Sequence, residues 1–186
     1  QRLSRGLGDV YKRQEIKKYK IKYKIPNFSI ENKLCGKTRP HFFPGVKKIV
    51  TKLFDIIEPD KSFFGEKDFQ QYLVIKELCK KMKLKTVIVK CKTVRDQKGL
   101  ALSSRNNYLN EKEKKMAQKI NKSVKKFLPF FRENLKVGRG TLKLKQDLYK
   151  NGIDSIDYLK IFTEQLKIRK KLNDKCRLFI AVKIGN

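Results

Sequence analysis

Tryptophan is absent from the 186 residues, and histidine occurs once, as His41. Four cysteines, Cys35, Cys79, Cys91 and Cys176, contain no C-x-x-C pair, and one histidine does not complete a zinc site with them at any usual spacing. They read as reduced, structural thiols of a cytoplasmic protein. No run of eighteen apolar residues occurs, and the first thirty positions lack the apolar stretch and small-residue cleavage site of a secretory signal. Membrane insertion and export are therefore not expected. Acidic residues are scarce as well, 18 against 48 Lys and Arg, which leaves a formal net charge of +30.

Hydrophobic residues make up 39% of the chain and aromatics 10%, too many for a disordered tail. A chain of this length buries a real core. The positive charge invites a nucleic-acid reading, because clustered cations bind phosphates and release counterions. However, 38 of the basic residues are Lys and only 10 are Arg, whereas phosphate forks and base edges are gripped by Arg geometry. The lysines are also spread along the whole chain, which reads as a general lysine bias rather than a binding stripe.

Residues 1–14 contain no usable hydrophobic period and differ in composition from the Lys/Ile/Asn-rich text that follows. They read as a non-native leader. From 15 to 92 helix and strand alternate. Ile21–Ile25 alternates as a strand would, and Ile30–Leu34 suits the start of a short helix. Val46, Ile49, Val50, Leu53, Phe54 and Ile57 share one helical face that Pro59 closes. Ser62–Phe64 reads as a buried parallel strand ending at Gly65. A helix over Lys67–Leu84 follows, burying Phe69, Tyr72, Leu73, Leu78 and Met82, and then a strand at Thr86–Val89. Strand, helix, strand with short joins predicts a parallel sheet covered on both faces.

From 93 to 186 the pattern changes to a smaller α+β domain. Asn110 and Glu113 form a capping box ahead of a helix that carries Met116, Ile120, Val124, Phe127 and Phe131 on one stripe. Pro129 is expected to kink or end that helix, and Gly138 and Gly140 to mark a turn. A short helix at Leu142–Tyr149 and strands at Ile156–Phe162 and Arg177–Ile184 follow, with a helix near Glu164–Leu172 between the strands.

Two segments carry chemistry. In Phe63-Phe64-Gly65-Glu66-Lys67-Asp68-Phe69-Gln70-Gln71 a glycine ends a strand and a lysine opens the next helix. Free backbone N–H groups, a positive helix end and one mobile ammonium suit a phosphate at the carboxyl edge of a parallel sheet. Gln71, four residues after Lys67, shares its helix face and can donate to and accept from a polar substrate. A capped helix with a polar first turn facing water is the plainer alternative. In Gly99-Leu100-Ala101-Leu102-Ser103-Ser104-Arg105-Asn106 two hydroxyls and a guanidinium can wrap a triphosphate and stabilise charge on departing pyrophosphate. An ordinary Ser-rich approach to a helix is the alternative there.

The strings FFGEKDFQQYLVI and TVRDQKGLALSSRNNYL, with LCGKTRPHFFPGV and RLFIAVKIGN in place around them, closely resemble the pantothenate synthetase (pantoate–beta-alanine ligase) family over about Ile21–Asn186. The resemblance implies a Rossmann-like nucleotidyltransferase domain, with its N-terminal part missing here, followed by a smaller α+β lid domain. It implies ATP and Mg²⁺ as cofactors and pantoate and β-alanine as substrates, joined through a pantoyl-adenylate with release of AMP and pyrophosphate. Gly65, Glu66, Lys67 and Asp68 would line the ATP site, with Lys67 on the phosphates and Asp68 and the Gly65 backbone near the ribose. Gln71 would hold pantoate and Val94 would contact the adenine side. Leu102, Ser103, Ser104 and Arg105 would close over the phosphates, with Lys67, Ser103 and Arg105 acting in catalysis. No metal ligand is assigned to the chain, and a cytoplasmic homodimer without nucleic-acid or membrane partner is implied.

The chain departs from that pattern at two places. The family's H-x-G-H is absent. The single His41 stands one position from where R-P-G-H-F-x-G-V would put its histidine, which turns its side chain elsewhere. Two other readings stay in view, a lysine-rich nucleic-acid-binding module and an adenylating enzyme for another carboxylic acid. Gln71 and the FGEKDFQQ match weigh against the latter.

Overall fold

A computed structural model describes residues 16, 18–134, 137–168 and 176–185; the expected leader lies outside them. The chain divides into two compact units, Gln1–Cys91 and Lys92–Asn186. No helix among the described residues is long and apolar enough to cross a membrane.

The first unit runs through a 3-10 turn (Ser29–Asn32), α1 (Leu34–Thr38), α2 (Phe42–Ile57), β1 (Lys61–Gly65), a second 3-10 turn (Glu66–Asp68), α3 (Phe69–Lys81) and β2 (Val87–Cys91). β1 and β2 pair in parallel, from Lys61 opposite Val87 to Gly65 opposite Cys91. Parallel neighbours need a crossover, and α3 provides it. Phe28, Phe43, Phe54, Val74, Ile75 and Leu78 form the core, with Phe64 and Ile88 packed against it from the strands. The other face of the pair is open: Phe63 and Val87 are 66% and 56% exposed, so the expected double cover is not present among the described residues.

Two further segments differ from expectation. Ile21–Ile25 forms no strand; Ile25 still packs on the core, and the Tyr19 and Tyr23 hydroxyls both donate to the Asp55 carboxylate on α2. Alternation alone makes no strand, and no neighbour among the described residues supplies this segment with a ladder. On α2 the buried row is Phe43, Lys47, Thr51 and Phe54, while Ile49 and Ile57 are 49% and 57% exposed. The helix ends as expected at Pro59, with Glu58 in the left-handed region at φ 46°.

In the second unit a 3-10 turn (Ser104–Tyr108) leads into α4 (Glu111–Asn134), α5 (Val137–Lys150), β3 (Ser155–Thr163) and β4 (Cys176–Lys183). β3 and β4 pair antiparallel, with an irregularity between Ile156 and Tyr158. Ile120, Val124, Phe127 and Phe131 of α4 join Leu144 and Leu148 of α5 and the inner residues of both strands in one core. The capping box is present: Asn110 N donates to Glu113 Oε2 at 2.7 Å and Glu113 N to Asn110 Oδ1 at 2.9 Å.

Of the two outcomes expected at Pro129, α4 does not end there: it continues to Asn134, and buried Phe131 just beyond the proline holds the helix to the core. Two boundaries differ from expectation. Gly138 and Gly140 lie inside α5 and make no turn; a Cβ on Gly140 would strike the Phe131 ring, so this glycine serves close helix approach. Residues 164–168 form a turn, with Leu166 N donating to Thr163 O at 3.0 Å, and the remainder of the expected helix lies outside the described residues.

Candidate active site

β1 delivers Gly65 to the carboxyl edge of the parallel pair, where the chain turns through Glu66–Asp68 into α3. Gly65 is extended, at φ −72° and ψ 136°, and a Cβ there would meet no atom within 4 Å, so the approach to the turn is open. Amide groups at the head of α3 have no helical acceptor and face the direction of the helix's positive end.

Charges are sorted at this turn. Glu66 Oε1 lies 3.0 Å from Lys90 Nζ, and the same ammonium sits 5.7 Å from the centre of the Phe69 ring. Lys90 stands opposite Phe64 in the ladder, on the strand face that meets α3. Lys67 Nζ keeps only a loose 3.9 Å approach to Asp68 Oδ2, with side chains 39% and 68% exposed. Lys67 is thus the more loosely held of the two cations, while Glu66 is engaged with Lys90. Gln71 is half-buried on the first turn of α3. The structure therefore brings Gly65, Glu66, Lys67, Asp68 and Gln71 together, as five sequence neighbours around one helix head.

Next to Gln71, buried Gln70 makes three side-chain hydrogen bonds. Its Nε2 donates to Ile30 O and Lys33 O, both at 2.7 Å, and its Oε1 accepts from Cys35 N at 3.1 Å. Neither Gln70 nor Lys90 stands out in the sequence. The doubled glutamine is the available signal for the first, and a lysine at the end of an otherwise apolar strand for the second.

The other candidates lie on one loop of the second unit. Asp96 Oδ1 accepts from Lys98 N at 2.9 Å and Leu100 N at 2.8 Å, and Gly99 takes φ +90°, which closes a tight turn. Arg95 bridges Ala101, and Leu102 N donates to Val94 O at 2.9 Å, so the loop doubles back as a short ribbon. Val94 and Leu102 are exposed apolar residues on it. Ser103 caps the following 3-10 turn, its hydroxyl accepting from Arg105 N at 3.3 Å. Ser104 and Arg105 are exposed. Ser103 therefore has a local structural task besides any ligand contact. His41 is exposed at the start of α2.

A family model described as pantoate–beta-alanine ligase matches residues 7–186. A pantothenate synthetase of Thermodesulfovibrio yellowstonii is 40% identical over 160 residues, which cover 84% of this chain and 57% of that protein. One from Clostridium botulinum is 39% identical over 158 residues, 82% of this chain and 55% of its own length. Among solved structures, pantothenate synthetase from Thermus thermophilus superposes with a TM-score of 0.79 at 28% identity, covering 86% of this chain and 58% of that one. Pantoate–beta-alanine ligase from Francisella tularensis, solved with beta-gamma ATP and beta-alanine, gives 0.66 at 33% identity, covering 86% and 53%. The chain thus spans a little over half the length of the relatives it matches.

Proposed function

The chain belongs to the pantoate–beta-alanine ligase family, and from that premise we propose that it carries ATP- and pantoate-holding residues of an enzyme that condenses pantoate with β-alanine. One observation carries the reading: an open glycine, a loosely held lysine and a half-buried glutamine occupy one helix head at the carboxyl edge of a parallel strand pair. Lys67 neutralises the ATP phosphates, and Gln71 donates and accepts hydrogen bonds with pantoate. Glu66 and the Gly65 backbone shape the turn, with Asp68 toward the ribose.

A pantoate carboxylate oxygen attacks the α-phosphorus, its bond to pyrophosphate breaks, and pyrophosphate leaves with the electron pair. The work of the protein in this step is in-line positioning and neutralisation of the leaving charge. The β-alanine amine then attacks the mixed anhydride, forming the amide and releasing AMP. Val94, Leu102, Ser103, Ser104 and Arg105 are assigned to the nucleotide, with Arg105 and the serine hydroxyls on its phosphates. The described residues contain no group of three or more His, Cys, Asp or Glu that could hold a metal. Mg²⁺ fits here as the ion that the triphosphate brings, needing at most one or two carboxylates and supplying charge neutralisation. The complete enzyme is read as a cytoplasmic homodimer acting on small molecules alone.

Pantoate-dependent pyrophosphate release from Mg-ATP, measured on the protein completed to the length of its relatives, tests this reading. Release should require pantoate and fall about a hundredfold or more in Lys67→Ala, in line with losing a charge placed for the transition state. Release that is indifferent to pantoate, or to Lys67, would overturn it.

A further inference from the structure

We propose that Gln70 is a positioning residue for the pantoate-binding side of the site, acting by pinning the 30–35 turn against the first turn of α3. This rests on the assignment of Gln71 to pantoate. Gln70 is 5% exposed and reaches across 35 to 40 residues to bond three backbone groups with one amide. A glutamine side chain has one carbonyl and two N–H donors, and here all of these groups are directed at one turn.

The turn it holds is a strained one. Leu34 lies between two of the bonded groups, Lys33 O and Cys35 N, and adopts φ 44°, a left-handed conformation that a bulky residue rarely takes. Such a residue persists only where its surroundings over-determine it. Leu34 is buried, and Gly36 is pressed so closely to the Glu31 carbonyl that no Cβ fits between them. The Gln70 bonds supply the remaining constraint. Since Gln70 and Gln71 are consecutive in the first turn of α3, any loosening of that turn reaches Gln71 directly, whereas Lys67 stands before the helix on its own 3-10 turn.

Gln70→Glu keeps the shape and the acceptor for Cys35 N but sets a carboxylate against two carbonyl oxygens. Gln70→Met keeps the volume and removes all three bonds; it serves should the charged variant fail to fold. Backbone hydrogen exchange at Cys35 should quicken in Gln70→Met, which removes the acceptor of its N–H. The KM for pantoate should rise about tenfold while the KM for ATP stays within about twofold, because the loss falls on one substrate. A loss of folded protein alone would lower kcat and leave both KM values in place. Unchanged exchange at Cys35 in Gln70→Met, or quickened exchange there with pantoate KM unmoved, overturns the inference. If the parent protein protects Cys35 yet shows no saturation by pantoate, the functional reading itself has failed, and the coupling to Gln71 with it.

Discussion

Lys47 Nζ lies 2.7 Å from Glu31 Oε1 inside the first unit, with the two side chains 1% and 7% exposed. The same ammonium donates to Pro26 O at 2.6 Å and Asn27 Oδ1 at 3.1 Å, and Glu31 Oε1 accepts from Phe28 N at 2.9 Å. Each charge is thus caged by bonds that replace the water it lost. Removing one partner strands the other, so Lys47→Met should destabilise the protein by about 3–5 kcal/mol in urea unfolding. Adding Glu31→Gln should recover part of that loss, because the uncompensated charge is gone.

One turn further along α2, Thr51 is fully buried and its Oγ1 has no hydrogen-bond partner among the described residues. An unsatisfied buried hydroxyl costs about 1–3 kcal/mol, and valine has nearly the same shape. Thr51→Val should therefore raise the urea midpoint, by about 1 kcal/mol in stability. A fall in the midpoint would show that the hydroxyl is bonded in solution.

Asp147 accepts from Ser123 Oγ at 2.6 Å and Lys126 Nζ at 2.8 Å, tying α5 to α4. The Lys126 ammonium first, and then the Ser123 hydroxyl, hold its carboxyl below the usual carboxylate range. A carboxyl that ionises more readily when folded contributes stability above its unfolded pKa of about 3.9, lost as pH falls through the folded value. Asp147→Asn should remove this contribution at pH 7 and flatten the acid side of the stability curve, as read by melts between about pH 2 and 6.

Cys79 is buried in the first core, and burial pushes its thiol up to about 11. The thiolate is the reactive form, so Cys79 should resist alkylation at about pH 8 in the folded protein and react on unfolding. Mass mapping after a short iodoacetamide pulse reads this directly; modification of Cys79 ahead of global unfolding would contradict the burial.

Periodicity locates most of the elements, because strands beside glycines and helices with apolar stripes follow from local chemistry. It misjudges α2 since hydropathy ranks Lys47 and Thr51 as solvent residues, and the acceptors that bury Lys47 come from Pro26, Asn27 and Glu31, distant in sequence. Gly140 misleads for a related reason: its local preference for breaking a helix is overridden where Phe131 packs against it. In the candidate site, Lys67 and Gln71 are legible because they sit on one contiguous motif. Gln70 and Lys90 are not, as their partners at Ile30, Lys33, Cys35 and Glu66 become visible only after the chain folds back.

The parallel pair that frames the helix head joins residues only 26 positions apart, 87 minus 61, along an unbroken stretch of chain. Closing so short a crossover carries a modest entropy cost, which grows only slowly with length. The turn bearing Lys67 lies at the joint between β1 and α3, so its shape follows from one local closure and needs no distant segment to draw it. A turn made this way travels with its own piece of chain: substitutions elsewhere can weaken what surrounds it, yet its handover from strand to helix is inherited whole.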